Sequence, residues 1–192
     1  TYVTAGHTLF LGVDSDPIVP PQWRERMFGR LGEGLSKGLY SVISIAGFVL
    51  LIWGYGQARV NPVVLYVPPP GMRWVTALLM LPVFPLLLAA YFPGRIKAAL
   101  KHPMLVAVKL WAFAHLLSNG MLADVLLFGG FLAWAVADRI SFKRRVQRPI
   151  PSVPSRYNDA IGVVLGLVLY FAFFHWLHLV LIGRSPLPLA VS

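Results

Sequence analysis

Six apolar runs, separated by stretches that carry most of the charge, constrain the fold of this chain more than any other feature. They lack the alternation of apolar and polar residues that is typical of a half-buried strand. A membrane-spanning helix needs about 20 mostly apolar residues. The runs cover residues 2–13, 39–56, 73–92, 103–117, 121–137 and 160–182. We therefore predict an all-α, polytopic transmembrane helix bundle with about six spans, organised as a single membrane-embedded domain over residues 1–192.

The composition excludes several other classes of protein. Only 12% of the residues are Asp, Glu, Lys or Arg, which is too little charge to cover the surface of a soluble domain. The chain has no cysteine, so disulfide-stapled domains and thiolate metal sites are excluded. It also lacks a dinucleotide fingerprint, a phosphate-binding loop, a nucleophile elbow and a zincin motif. The residues leave open whether the protein is an enzyme.

The basic residues are sorted between the predicted loops. If the first span runs from outside to inside, 13 of the 17 Lys and Arg residues fall in inner loops at 14–38, 93–102 and 138–159. Three fall on the outer side, and Lys109 lies within a span. This distribution follows the positive-inside rule. It predicts both termini in the periplasm or its equivalent, inner loops that contact anionic lipid headgroups, and no nucleic-acid partner.

Local motifs add detail to individual spans. Pro82 and Pro85 interrupt the third run and predict a kink, which neighbouring helices can accommodate in a membrane. Gly162 and Gly166 are four residues apart and predict a close helix–helix contact. Asp124 stands in the first turn of the fifth span, where a carboxylate suits the helix N-terminus.

Two histidines within spans are the main candidates for chemistry. His115 lies about 13 residues into the fourth span, and His7 lies within the first; polar side chains at such depth need partners and are functional candidates. Neutral imidazole is a good ligand of haem iron. Trp111, His115 and Asn119 recur every four residues and share one helix face, which suits a flat ligand with a polar edge. The histidines could equally hydrogen-bond a neighbouring helix. The stripe of Trp111, His115 and Asn119 could equally be an ordinary interhelical contact.

The remaining polar positions allow more than one interpretation. His102 precedes Pro103, a residue that favours the first turn of a helix. His175 and His178 form an i, i+3 pair that could bind a metal, although the surrounding aromatic residues favour an interfacial role. Lys109 could extend to the inner surface, pair with a carboxylate or meet a haem propionate.

Four strings resemble the NnrU family of bacterial membrane proteins, and the resemblance covers most of the chain. The strings are RLGEGLSKGLYSVISIAGF (30–48), PPPGMRW (68–74), KHPMLVAVKLWAFAHLLSNG (101–120) and LLFGGFLAWAVAD (126–138). The third string carries the most specific motif, and the last third of the chain is thinner in motifs. The family is similar to plant-type zeta-carotene isomerase. This resemblance implies that the isomerase is a guide to the cofactor and the activity of the chain.

The resemblance implies haem b, held by two axial histidines. One of the two matches His115, but the position of the other holds Asp14. His7 lies two turns earlier on nearly the same face and is the candidate substitute, so His115 and His7 are the expected metal ligands, with Trp111 and Asn119 beside them. The more distantly similar isoprenylcysteine methyltransferases carry an R-H-P-x-Y-x-G string, which is not matched at residues 101–106.

Two functional hypotheses follow. In the first, the chain binds haem b and has a redox, isomerase-like or nitrogen-oxide-metabolism (denitrification) accessory role. In the second, it is a non-catalytic subunit or assembly factor of a larger respiratory or photosynthetic membrane complex, which Asp14 favours slightly. A transporter is disfavoured because the chain has no inverted repeat.

Overall fold

The computed structural model describes residues 5, 33–143 and 155–186. The first apolar run lies almost entirely outside these ranges, and so do His7 and Asp14. The other five runs are all helical, as predicted. Within the described ranges the only β pairing is an isolated antiparallel bridge between Val64 and Met121, so the all-α fold class is confirmed for this part of the chain.

The helices follow the apolar runs closely. They are α1 (Glu33–Ala58), α2 (Met72–Met80), α3 (Val83–Tyr91), α4 (Arg95–Leu100), α5 (Pro103–Ser118), α6 (Leu122–Lys143), α7 (Arg156–Ala172) and α8 (His178–Ile182), with a π-helical segment (Phe173–Leu177) between α7 and α8.

Four stretches have the length and composition of membrane spans. They are Ser41–Ala58, Met72–Tyr91, Leu122–Phe142 and Tyr157–Ile182. The hydrocarbon core of a bilayer is about 30 Å thick, so a span needs about 20 residues. Helix α5 has 16 residues and is only about 24 Å long at the α-helical rise. Four of the predicted spans are therefore supported by length and composition, whereas α5 is a short apolar helix.

The described residues fall into two compact units. The first takes its members from Thr1–Tyr66 and Gly120–Val146, and the second from Val67–Asn119 and Gln147–Ser192. The first unit contains α1 and α6, and the second contains the remaining helices.

In the second unit, α7 packs closely against α3. A Cβ added at Gly166 would overlap the Pro85 nitrogen and lie 2.6 Å from the Pro85 Cα, so no side chain fits there. One turn earlier, Gly162 faces the backbone of Ala89 at a distance that leaves room for a methyl group. Small residues let helix backbones approach in a membrane. The contact predicted from the two glycines is therefore confirmed, with Gly166 at its tightest point.

Pro82 lies between α2 and α3, and Pro85 lies in the first turn of α3, so the predicted kink is an interruption of the helix at Pro82. Helix α2 ends at Met80 and α3 begins at Val83. Proline has no backbone N–H to donate, and the carbonyl that Pro82 would have used, that of Leu78, accepts from the Leu81 N–H at 3.3 Å instead.

Two hydroxyl groups attach α2 to its neighbours in the same unit. The Thr76 hydroxyl donates to the Ala114 carbonyl of α5 at 2.8 Å. The Tyr170 hydroxyl donates to the Ala77 carbonyl at 2.9 Å. Such bonds between a side chain and the backbone of another helix stabilise helix association where no water competes.

In the first unit, a loop crosses the start of α6. The Leu65 and Tyr66 N–H groups both donate to the Gly120 carbonyl, and the Leu122 N–H donates to the Val63 carbonyl at 2.8 Å. A Cβ at Gly120 would overlap the Tyr66 carbonyl oxygen, so only glycine allows this approach. The loop that follows α1 is thus fixed against the residues that open α6.

Candidate functional site

His115 lies in the last turn of α5 and is half-buried. Its Nδ1 atom is 2.9 Å from the Trp111 carbonyl oxygen, one turn earlier on the same helix. A carbonyl oxygen only accepts hydrogen bonds, so Nδ1 carries the ring proton. In a neutral imidazole the other nitrogen, Nε2, then holds the lone pair. A histidine that binds a metal commonly donates a hydrogen bond from the nitrogen that does not contact the metal. This hydrogen bond fixes the tautomer and the orientation of the ring.

Trp111 and Asn119 flank His115 on the face that the spacing predicts. The Trp111 and His115 rings are tilted by 51°, with centroids 5.5 Å apart. The Asn119 amide donates to the His115 carbonyl at 2.9 Å and to the Ser118 hydroxyl at 3.2 Å. Asn119 thereby occupies a carbonyl that the helix end would otherwise leave unsatisfied. Three of the four predicted site residues therefore lie together at the end of α5, with His115 in contact with both Trp111 and Asn119, while His7 lies outside the described residues.

The neighbouring helix restrains the same turn from the other side. Ala114, which accepts the Thr76 hydroxyl, is fully buried and directly precedes His115. The backbone of the last turn of α5 is thus held by α2 within the second unit, while Trp111 orients the imidazole ring.

Other basic positions on α5 have separate roles. His102 is the residue before α5, and Pro103 occupies the first turn, which confirms the predicted helix start. Lys109 is half-buried and one turn from Phe113, which is 47% exposed. No carboxylate in the described ranges forms an ion pair with Lys109, so the pairing interpretation finds no support there, and its extension to the surface stays a prediction.

His175 and His178 belong to an aromatic segment rather than to a described metal cluster. The His175 ring lies 5.3 Å from that of Phe174 and 5.7 Å from that of Trp176, measured between centroids. His178 uses Nδ1 to contact the Arg184 carbonyl at 2.6 Å. His175 falls in the π-helical segment, which the sequence did not predict. No group of three or more His, Cys, Asp or Glu suited to a metal ion occurs among residues 33–143 and 155–186.

Sequence reasoning missed a clasp built on Asp159. This residue of α7 accepts hydrogen bonds from the N–H groups of Arg95 at 2.7 Å and Ile96 at 3.1 Å, which begin α4. The neighbouring Asn158 amide donates to the Pro93 carbonyl at 2.9 Å. A Cβ at Gly94 would overlap the Asp159 carboxylate. The clasp fixes the connection between α3 and α4 to α7, a helix more than sixty residues away in sequence, so no local sequence pattern could predict it.

A second carboxylate, Asp124, is buried in the first unit with only 4% of its surface exposed. It accepts the Tyr55 hydroxyl of α1 at 2.6 Å and the Met121 N–H at 3.2 Å. The predicted role at a helix N-terminus is confirmed by the Met121 contact, whereas the link to α1 was not predicted. In the adjacent loop, burial and, second, the negative charge of Asp124 raise the pKa of the Tyr66 phenol above 10.0.

Two open apolar grooves lie beside α7 in the second unit, with volumes of about 500 and 360 Å³. The larger is lined by α7 and the π-helical segment. The smaller lies at the proline interruption between α2 and α3. His115, Trp111 and Asn119 line neither groove.

Four apolar helical stretches long enough to cross a membrane, close small-residue packing and polar side chains that bond to backbone define the class of this protein: it is a helical membrane protein. Within that class, the sequence profile of the NnrU protein family matches residues 2–186. The chain therefore belongs to the NnrU family, as the motifs indicated. No curated protein and no solved structure matches it significantly.

Proposed function

We propose that this protein binds haem b in the membrane through His115 and has an accessory role in redox or nitrogen-oxide metabolism. The observation that carries the proposal is the hydrogen bond between His115 Nδ1 and the Trp111 carbonyl. It leaves Nε2 as the ligating nitrogen of a neutral imidazole, the form that binds haem iron. This tautomer supports His115 as a ligand of the haem iron.

Each residue of the site has a distinct task in this proposal. His115 would hold the haem iron through Nε2, and His7, which lies outside the described residues, is proposed to hold it as the second ligand. Trp111 orients the imidazole through its carbonyl and offers an aromatic surface 5.5 Å away. Asn119 holds the end of the helix through the His115 carbonyl. When bound, haem would supply an iron centre that exchanges single electrons.

We also propose a six-span arrangement in the inner membrane, with both termini in the periplasm. Two sets of contacts support it, each within one unit. Residues 63–66 bond to residues 120–122, and both segments are predicted to be outer. Residues 93–96 bond to residues 155–159, and both are predicted to be inner. An arrangement that placed the two segments of either pair on opposite sides of the membrane would separate residues that are in contact, whereas the choice of inner and outer side rests on the distribution of Lys and Arg.

Absorption spectroscopy tests the haem proposal. The full-length protein, purified from haem-replete cells, is expected to show a Soret band, and His115→Ala is expected to lose most of it. His175→Ala is a matched control, because His175 is an exposed histidine on a different helix; it should keep the full band. His7→Ala tests the second ligand and should change the spectrum from that of a six-coordinate to that of a five-coordinate iron.

Colourless wild-type protein from such cells would refute the proposal. Colourless protein that co-purifies with a respiratory or photosynthetic complex would favour the subunit hypothesis instead. A Soret band that persists unchanged in His115→Ala would show that a residue other than His115 holds the haem iron.

Topology is tested by cysteine labelling. The chain has no cysteine, so a single introduced cysteine is the one thiol that the reagent can label. Lys101→Cys, at an exposed inner position, should react with a membrane-impermeant maleimide only after the cell is opened, whereas Val67→Cys, 81% exposed, should react from the periplasm.

A further inference from the structure

The loop that follows α1 presents apolar side chains outside any helix. Residues 60–66 form this segment, which we call the apolar loop. Four of its aliphatic side chains expose more than half of their surface, namely Val60, Val63, Val64 and Leu65. A cluster of exposed aliphatic side chains marks a surface that contacts lipid or protein rather than water. The described residues of the first unit leave this cluster uncovered.

The backbone of the apolar loop is fixed at the level where a membrane span begins. It bonds to Gly120 and Leu122, and the bond from the Leu122 N–H to the Val63 carbonyl is 2.8 Å long. Leu122 is also the first residue of the span Leu122–Phe142, and the span Ser41–Ala58 ends just before the loop. The hydrocarbon core of a bilayer ends where the apolar part of a spanning helix ends. The loop therefore stands at the boundary between acyl chains and headgroups.

The backbone and the composition of the loop also suit an apolar environment. A peptide N–H without a hydrogen bond is costly in lipid. The N–H groups of Val60, Leu65 and Tyr66 all donate to backbone carbonyls. Pro62 has no N–H that would need a partner. Residues 60–66 also contain no Asp, Glu, Lys or Arg, so insertion of the loop would not remove a charge from water.

We propose that the apolar loop inserts into the interface of the lipid bilayer, held at that depth by its bonds to Gly120 and Leu122. Val63, Val64 and Leu65 would then contact the upper part of the acyl chains. The occupant is lipid rather than a protein, because lipid already surrounds the ends of the two spans beside the loop. Assignment to the outer leaflet rests on the orientation proposed above, whereas insertion itself depends neither on that orientation nor on haem.

Quenching of a fluorescent label by nitroxide lipids tests the insertion. The full-length Val64→Cys variant carries one cysteine, which is labelled with nitrobenzoxadiazole before reconstitution into phosphatidylcholine vesicles. A nitroxide near the headgroup end of the acyl chain should quench this label more strongly than one near the methyl end. Val49→Cys is a matched control at an exposed position in the middle of the span Ser41–Ala58; its label should show the reverse order. A label at the exposed Lys101→Cys position should be quenched weakly by both lipids.

Gly120→Ala tests whether the bonds to the start of α6 set the depth of the loop. A Cβ at this position would overlap the Tyr66 carbonyl oxygen, so the loop must move away. Quenching of the Val64→Cys label by the headgroup-end nitroxide should then fall. The Val49→Cys label in the same background should be quenched as before, which shows that the span is still in place.

Three results would overturn the proposal. The first is a Val64→Cys label that is quenched no more than the Lys101→Cys label, because the loop would then lie in water. The second is an apolar emission spectrum without quenching by either lipid, because a second copy of the protein would then cover the loop. The third is unchanged quenching in Gly120→Ala. Failure of the haem proposal would appear separately, as a missing Soret band with the quenching pattern intact.

Discussion

The two units hold their helices together by different means. In the first, a buried carboxylate joins α6 to α1 through the Tyr55 hydroxyl, and a loop bonds across the start of α6. In the second, Gly166 brings the backbone of α7 against Pro85 with no side chain between them. Lipid tails are as apolar as leucine, so helices in a membrane associate through close packing and hydrogen bonds. The first unit uses a hydrogen bond between α1 and α6, whereas the second combines the close packing at Gly166 with the hydrogen bonds of Thr76, Tyr170 and Asp159.

The comparison shows which substitutions each unit tolerates. A polar link such as that between Tyr55 and Asp124 depends on particular atoms, so conservative exchanges can preserve part of it. A backbone contact such as that at Gly166 depends on volume alone, so a single methyl group is enough to disturb it.

The largest effect is expected at Asp124. Asp124→Ala would leave the Tyr55 hydroxyl and the Met121 N–H without their acceptor, and should lower the free energy of unfolding by about 3 kcal/mol. Unfolding of the purified protein in an SDS titration measures this loss. Asp124→Asn retains an acceptor oxygen and should cost less than half as much. Equal losses in the two variants would show that the charge of Asp124, rather than its hydrogen bonds, stabilises the first unit.

Gly166→Ala should destabilise the second unit by about 2 kcal/mol, within the range for overpacking a close contact. Gly162→Ala is a matched control on the same helix face, where a methyl group would lie 3.9 Å from its nearest neighbours. The Gly162→Ala variant should be as stable as the wild type or slightly more stable, because alanine is about 1 kcal/mol more favourable than glycine in a helix. The same unfolding titration compares the two, and similar values for both would contradict the account of packing.

Asp159→Ala should have a smaller effect, about 1.5 kcal/mol, because its partners lie nearer the surface and water can replace part of the carboxylate. The effect of Asp159→Ala on the start of α4 should be stronger than its effect on overall stability. Hydrogen exchange at the backbone amides of Arg95 and Ile96 should accelerate by more than tenfold, whereas amides in the middle of α7 should exchange as in the wild type. Unchanged protection at the start of α4 would exclude the clasp.

The smallest effect concerns the pH dependence of the first unit. Burial and the charge of Asp124 raise the pKa of Tyr66 above 10.0, so folding favours the neutral phenol. Between the unfolded and the folded pKa the native state binds more protons, and stability should therefore fall as the pH rises above about 10. An ultraviolet titration should show Tyr66 ionising late, and Tyr66→Phe should remove that late component. If its ionisation instead follows the normal phenol range, the loop does not shield this side chain.

The features that the sequence predicted correctly depend on neighbours along the chain. Hydrophobic runs located the long helices, the prolines located the interruption between α2 and α3, and the spacing of Trp111, His115 and Asn119 placed them on one helix face, where His115 contacts both of the others. The features that were missed depend on residues far apart in sequence. Tyr55 finds Asp124 across 69 positions, and Asp159 finds Arg95 across 64. The sequence around a hydroxyl or a carboxylate does not indicate which distant residue it will contact, because the packing of the helices determines these pairs.

The π-helical segment illustrates another limit. Its sequence, FFHWL, is apolar and compatible with an α-helix, yet residues 173–177 adopt the wider turn. The ring contacts of Phe84 with Phe173 and of Tyr170 with Phe174 bring aromatic volume together there. The predicted interfacial environment of His175 is consistent with this cluster, but the change of helix type could not be read from composition.

The hydrogen bond from His115 to Trp111 has an entropic consequence. A free histidine loses rotamer freedom when it binds a ligand, at a cost of about 0.5–1.5 kcal/mol for an immobilised side chain. At His115 much of that freedom is already lost on folding, because the ring is tied to its own helix and the turn is fastened by Thr76 and Asn119. The imidazole is thus preorganised, and ligand affinity at Nε2 would depend on the bond formed there more than on the ordering of the protein.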